Sequence, residues 1–316
     1  MEKKQLGNSG IAVAPLAFGG NVFGWTIDEP ASFKLLDAFV DAGFNLIDTA
    51  DTYSRWKPGN DGGESETTIG NWMKQRGNRG KVIVATKLGS DMGNNKKGLS
   101  KKYMMEAVEA SLKRLQTDHI DLYQSHFDDT ATSVGETMDG YAALVKQGKV
   151  RAIGASNMSL ERLKQSVEFS EANGLPRYET LQPLYNLYDR QAFEKEFHPY
   201  CLEKNISVIN YYSLASGFLT GKYRTENDLS KSARGDGNKK YMNDRGFKIL
   251  AALDIVAKRY NSNPATVSLA WLIAQPSIAA PIASATNIAQ LNDLIASVEL
   301  QLDNEAMDVL NKASAY

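Results

Sequence analysis

Eight short runs rich in β-branched and apolar residues recur along the chain, at 15–18, 44–48, 82–86, 120–125, 150–154, 180–183, 207–211 and 278–282. Stretches with helical spacing of apolar residues separate them, at 31–42, 64–75, 101–115, 134–147, 159–172 and 191–204. Two more, 247–260 and 264–274, precede the last run, and 289–297 and 304–312 follow it. Strands alternating with helical crossovers pair in parallel, because each crossover returns the chain to the same end of the sheet. Eight such units predict an α/β fold, a (β/α)8 TIM barrel whose strand-to-helix loops gather at the C-terminal face. Residues 4–6 and 11–13 flank Gly7-Asn8-Ser9-Gly10 and predict an N-terminal β-hairpin ahead of the barrel.

The boundaries carry their own signals. Ser100 and Ser159 stand where helices start, as side-chain caps, and Pro264 falls at a first helical position, where a missing N–H costs little. Gly43, Gly148 and Gly174 stand where helices should stop. Barrels of 250 residues or more commonly form one unit, so residues 1–316 are read as a single domain. Two polar segments, 55–63 and 222–245, are too long to be mere connections and predict long functional loops at the C-terminal face.

Charge narrows the function classes. With 36 Lys+Arg against 37 Asp+Glu there is no basic excess to hold nucleic acid. No apolar run approaches the ~20 residues of a membrane span. The N-terminus, Met1-Glu2-Lys3-Lys4-Gln5-Leu6, lacks the apolar core of a signal peptide, and Cys201 is the single cysteine, so a reducing cytoplasm is the expected setting. The three histidines, His119, His126 and His198, form no pair with zinc-ligand spacing, and no metal is expected.

In a barrel, a site is assembled from the ends of different strands. Asp48 ends the second run and Tyr53 follows five positions later; Lys87 ends the third and His126 the fourth. Taken singly, an Asp there is an ordinary cap, a Tyr ordinary packing, a Lys a solvated charge and a His a structural one. Consecutive strands are neighbours, so the four converge, and their chemistry is complementary. A phenol with a reference pKa of about 10 is a poor acid, a nearby ammonium favours its phenolate, and a carboxylate holds the ammonium in place. Such a set suits protonation of an oxygen that gains charge as hydride adds to a carbonyl, with His126 orienting that oxygen.

The motifs around these residues extend the match. They are Asp48-Thr49-Ala50-Asp51-Thr52-Tyr53, Ala85-Thr86-Lys87, Asp121-Leu122-Tyr123-Gln124-Ser125-His126, Gly154-Ala155-Ser156-Asn157, Gln182-Pro183-Leu184-Tyr185-Asn186, and the stretch from Tyr212 to Lys222. In their order and spacing the chain resembles the aldo-keto reductases from end to end. The resemblance implies Tyr53 as general acid, Asp48 and Lys87 as its tuners and His126 as orienter of the substrate carbonyl. It implies a nicotinamide cofactor across the barrel mouth, consistent with the lack of a G-x-G-x-x-G fingerprint after any strand.

For that cofactor the resemblance assigns Ser156, Asn157 and Gln182 to the amide and Tyr211 to stacking on the ring. Ser213, Leu214, Gly217, Leu219 and Lys222 are assigned to the pyrophosphate. Ser284, Thr286, Asn287 and Gln290 fall at the 2′-phosphate end, where an Arg common in the family is replaced by Asn287 and an Asn by Leu294. NADP(H) is therefore the expected cofactor with NAD(H) open, and Lys222, Lys231 or Arg234 are the cations on hand to compensate. Phe23, Trp25, Trp56 and Phe127 fall in mouth loops and are read either as loop packing or as an apolar substrate pocket for an aldehyde, ketone or sugar-like carbonyl and its alcohol. The oligomeric state is left open. The alternative function is a nicotinamide-binding sensor, because the family resembles cytoplasmic potassium-channel β-subunits, which can keep the same four residues. The chain has no long extension ahead of the hairpin, which fits the stand-alone enzyme.

Overall fold

A computed structural model describes residues 1–232 and 234–316. Strands β1 (Lys4–Gln5) and β2 (Ala12–Val13) pair antiparallel as the expected hairpin. Eight parallel strands follow: β3 (Ala17–Gly19), β4 (Leu46–Asp48), β5 (Ile83–Leu88), β6 (Ile120–Ser125), β7 (Val150–Ser156), β8 (Tyr178–Gln182), β9 (Ser207–Val208) and β10 (Ile282–Ala283). Their order is β10-β3-β4-β5-β6-β7-β8-β9. The two edges meet through a bridge between Val208 and Ile278 and through Ala279 N–H donating to Val208 O (2.8 Å) and Ile282 N–H to Asn210 O (3.0 Å). The sheet curls into the (β/α)8 barrel that the alternation predicts.

Helices α1 (Glu29–Asp41), α2 (Glu64–Arg76), α3 (Lys101–Leu115), α4 (Val134–Lys146) and α5 (Leu160–Asn173) cover the first strands. α6 (His198–Glu203), α7 (Asp244–Arg259), α8 (Pro264–Ile273), α9 (Ile288–Glu299) and α10 (Asn304–Ala313) complete the layer. Between helices and sheet lies a large core with Trp72, Trp271, Tyr123, Tyr141 and Phe39 fully buried. Inside the ring a second cluster of mostly small side chains, Ala17, Ala85, Leu122 and Ala152, meets Leu6, Ile11 and Val13 of the hairpin. The hairpin thus plugs the N-terminal end and leaves the opposite end open. Gly154 marks a register shift in β7, where an added Cβ would collide with Thr180 Oγ1.

The predicted caps work as read. Ser100 accepts from Tyr103 N–H and Ser159 from Arg162 N–H, and Gly174 ends α5 with φ 62°. Two expectations need correction. The helix expected over 191–204 is split into a π-turn, Phe193–Phe197, and α6, because Pro199 lacks the N–H that would continue one α-helix through it. The strand expected at 207–211 is regular only over Ser207–Val208 and the one expected at 278–282 only at Ile282–Ala283; the rest stays attached by isolated bonds, such as Ile209 N–H to Leu181 O (3.1 Å) and Tyr211 N–H to Pro183 O (2.9 Å). Segment 222–245 is not featureless: 3-10 turns at Glu226–Lys231 and Asp236–Tyr241 fold it against the barrel, and α7 already begins at Asp244. No described helix is long and apolar enough to cross a membrane.

Candidate active site

The C-terminal mouth holds a cavity of about 770 Å³. Asp48 at the end of β4, Tyr53 in the next loop and His126 just past β6 line it, and Lys87 of β5 lies beneath them, fully buried. The Lys87 ammonium donates to Asp48 Oδ2 (2.7 Å) and Oδ1 (2.9 Å), to Thr49 O (2.8 Å) and to Tyr53 Oη (2.9 Å). Tyr53 Oη in turn donates weakly to Asp48 Oδ2 at 3.4 Å. All four expected side chains therefore meet: the His126 and Tyr53 ring centroids are 6.0 Å apart.

The electrostatics differ from the expectation in one respect. Lys87 was expected to pull the Tyr53 pKa down; instead burial and the Asp48 carboxylate hold it well above the ordinary phenol value. Asp48 takes the ammonium on both oxygens, while desolvation lowers the pKa of Lys87 itself. Tyr53 thus keeps its proton throughout the neutral range, as a donor must.

Burial, helped by the Lys87 charge, lowers the His126 pKa to about 3. Ser90 Oγ engages its Nδ1 at 2.9 Å, a partner with no signal in the sequence. His126 is therefore a neutral ring at physiological pH and not an imidazolium. The folded value lies below the unfolded one of about 6.5, so the stability of burying the neutral ring is complete above that pH and is lost as pH falls toward 3. For any turnover that uses His126, kcat is expected to show no inflection between about pH 5 and 8. A pH–rate profile checks this, and a limb near 6.5 would restore a titrating histidine.

The remaining strand ends supply polar groups. Ser156 Oγ donates to Gln182 O (2.7 Å), and Gln182 Nε2 donates to Asp48 Oδ1 (2.9 Å), tying the amide side of the site to the acid side. Asn157, at φ 48°, donates to His126 O (2.9 Å) and accepts from Tyr211 Oη (2.9 Å). Tyr212, part of a matching motif but given no role from the sequence, has φ 54° and lies beside Tyr211 on the cavity wall with an exposed ring. After β9 the backbone passes through three successive positive-φ residues, Ala215 (φ 47°), Ser216 (φ 55°) and Gly217 (φ 95°), a tight turn in which the Ala215 N–H donates to Tyr212 O (2.7 Å). A Cβ on Gly217 would come within 3.4 Å of the Lys222 ammonium. Ser213, Leu214, Gly217 and Lys222 all line the cavity.

Several assignments shift. Leu219 is buried and its N–H donates to Leu214 O (3.2 Å), as does that of Gly217 (2.8 Å), so neither amide is free for a phosphate. Ser284, Thr286 and Gln290 line the far end of the cavity. Asn287 lies outside the lining, because its side chain is the N-cap of α9 and accepts from Gln290 N–H (2.9 Å). Asp293, unforeseen, joins that end and is held by Asn263 Nδ2 at 2.8 Å. Phe23 is fully buried, stacked on Phe18 at 5.4 Å, and belongs to the core rather than to a substrate pocket. Trp25 does not line the cavity but braces Trp56 edge-on at 5.5 Å. Trp56 and Phe127 do line it, 48% and 49% exposed, so two of the four aromatic candidates are available to a ligand. Burial raises the Cys201 thiol to about 12, as suits a packed side chain and not a nucleophile.

The model of the aldo/keto reductase family matches residues 15–315. The chain belongs to the aldo-keto reductase family. Among its relatives is YrpG of Bacillus subtilis, called an uncharacterized oxidoreductase, 35% identical over 98% of this chain and 95% of that one. The aldo-keto reductase YhdN of the same organism is 33% identical over 98% and 93%. A probable voltage-gated potassium channel subunit beta of Oryza sativa subsp. japonica is 32% identical over 92% and 89%. As an oxidoreductase-family member the chain has its four convergent groups at the C-terminal mouth, where barrel enzymes place their chemistry.

Proposed function

We propose that this family member reduces an aldehyde or ketone to an alcohol with NADPH, and oxidises the alcohol when the cofactor ratio reverses, with Tyr53 as proton donor. The observation that carries the reading is the Lys87 ammonium in contact with both Asp48 and the Tyr53 hydroxyl. A protonated phenol faces the cavity, and its conjugate base would form beside a cation already in place. Oxyanion stabilisation by fixed, buried groups is worth far more than in water. His126, with Nδ1 engaged by Ser90, offers Nε2 to the substrate oxygen.

The residues fit a dinucleotide. Tyr211 and Tyr212 supply rings beside the amide-side groups Asn157 and Gln182, the Lys222 ammonium beside Gly217 suits the diphosphate, and Thr286 and Gln290 lie at the adenosine end. A nicotinamide bound there supplies the hydride; the protein binds, orients and delivers the proton from Tyr53 Oη. Cytoplasmic location and a single barrel domain belong to the same reading.

The experiment is NADPH oxidation followed with a panel of small aldehydes and ketones. Turnover that requires Tyr53 supports the reading, and none with any carbonyl overturns it. In the same assay Trp56→Ala is expected to raise KM roughly three- to tenfold for aromatic aldehydes, since it removes an exposed ring next to Tyr53 (centroids 5.9 Å). Unchanged kcat and KM across the panel would remove Trp56 from the pocket. The second reading, a channel-associated sensor, is favoured by the β-subunit relatives; it predicts association with a membrane partner and negligible turnover.

A further inference from the structure

Resting on the reductase reading, we infer that Ser90 is a positioning residue: its hydroxyl donates to His126 Nδ1 and so fixes the neutral ring with its proton on Nε2, where a substrate carbonyl can accept it. The strands bring the two residues together. β5 and β6 pair with Leu88 beside Ser125, so the loops that leave them start side by side, and His126 N–H donates to Leu88 O (2.8 Å). Gly89, at φ 103°, turns the chain, and Ser90 follows with its Oγ 2.9 Å from His126 Nδ1.

The direction of that bond decides what His126 can do. A neutral imidazole has one donor and one acceptor nitrogen, and a hydroxyl can meet either. Ser90 is 9% exposed, and its Oγ has no other partner among the described residues. If Nδ1 carried the proton, the hydroxyl would accept it and its own buried hydrogen would be left without an acceptor, which is costly. If Nδ1 is bare, one bond satisfies both groups. A doubly protonated ring is opposed by burial and by the Lys87 charge. The proton therefore sits on Nε2, and a fixed N–H donor is what an oxygen gaining negative charge requires. Phe127 stacks on the ring at 4.9 Å and Tyr53 meets it edge-on at 6.0 Å. Such packing fixes the plane of the ring but does not choose between its nitrogens. That choice falls to Ser90, which alone among the described side chains bonds a ring nitrogen of His126.

The test reads the ring nitrogens of His126 by NMR of histidine-labelled protein, with its signals among the three histidines assigned by their loss in His126→Ala. Wild type at neutral pH is expected to give two well-separated signals, a bare Nδ1 and a protonated Nε2. Ser90→Ala should draw the two toward each other as the tautomers mix, and should lower kcat/KM for benzaldehyde reduction with NADPH by about tenfold, the equivalent of one lost hydrogen bond. Ser90→Thr, which keeps the hydroxyl, should retain the separated signals and most of the rate. NADPH Kd and Tm should move little in either variant. A wild-type ring protonated on Nδ1 overturns the inference. So does Ser90→Ala with wild-type signals, whether its rate is kept or lost, since the hydroxyl then does not set the tautomer. Wild-type protein with the expected signals that turns over no carbonyl defeats the reductase reading itself, which is a different result.

Discussion

Tyr53→Phe is expected to lower kcat for carbonyl reduction by roughly 10²–10⁴-fold while the protein stays folded and binds cofactor as before. Only the hydroxyl is lost. Lys87 still donates to both Asp48 oxygens and to Thr49 O, so the buried charges remain satisfied. Because the proton moves only as the carbonyl oxygen gains charge, kcat and kcat/KM should fall together, with KM little changed. Steady-state kinetics beside a thermal melt check this. A variant with near wild-type turnover would mean that another group, or water, delivers the proton.

Lys87→Met should damage both activity and stability, which separates it from Tyr53→Phe. Asp48 is 1% exposed, and removing its cation leaves a buried carboxylate whose remaining donors are Gln182 Nε2 (2.9 Å), a long contact from Gln124 Nε2 (3.5 Å) and the Tyr53 hydroxyl (3.4 Å). Breaking one side of a buried pair typically costs about 3–5 kcal/mol. Turnover should fall by at least roughly 10²-fold, since the phenolate that forms on proton transfer loses the adjacent cation. Urea denaturation measures the first effect and NADPH oxidation the second. A variant as stable as wild type would show that Asp48 is relieved in some other way, by solvent or by its own protonation.

The barrel was legible because eight strand–helix alternations admit few other closures, and the convergence of the four candidate side chains because strand ends in a barrel are spatially adjacent. Asp48, Tyr53, Lys87 and His126 could be found from position alone. Their electrostatics could not: that Asp48 grips the ammonium with both oxygens, at 2.7 and 2.9 Å, is a matter of side-chain geometry, and it reverses the expected direction for Tyr53. Ser90 and Asn21 come from segments without strand or helix periodicity, so nothing in their spacing reports that Ser90 reaches His126 or that Asn21 lines the cavity. Phe23 and Trp56 look alike as loop aromatics, yet one stacks on Phe18 in the core and the other faces the mouth. Asn287 stands at the position of a ligand residue but is consumed as a helix cap, a competition between backbone and ligand that sequence does not resolve.

The most direct test of the account is titration of the purified chain with NADPH and, separately, NADH, following quenching of its own tryptophan fluorescence. Trp56 lines the cavity and Trp25 packs against it, so a cofactor seated at the mouth should be seen. NADPH is expected to bind saturably and more tightly than NADH. Absence of saturable binding by either nucleotide would contradict it, leaving a barrel with four convergent polar groups and no hydride for them to use.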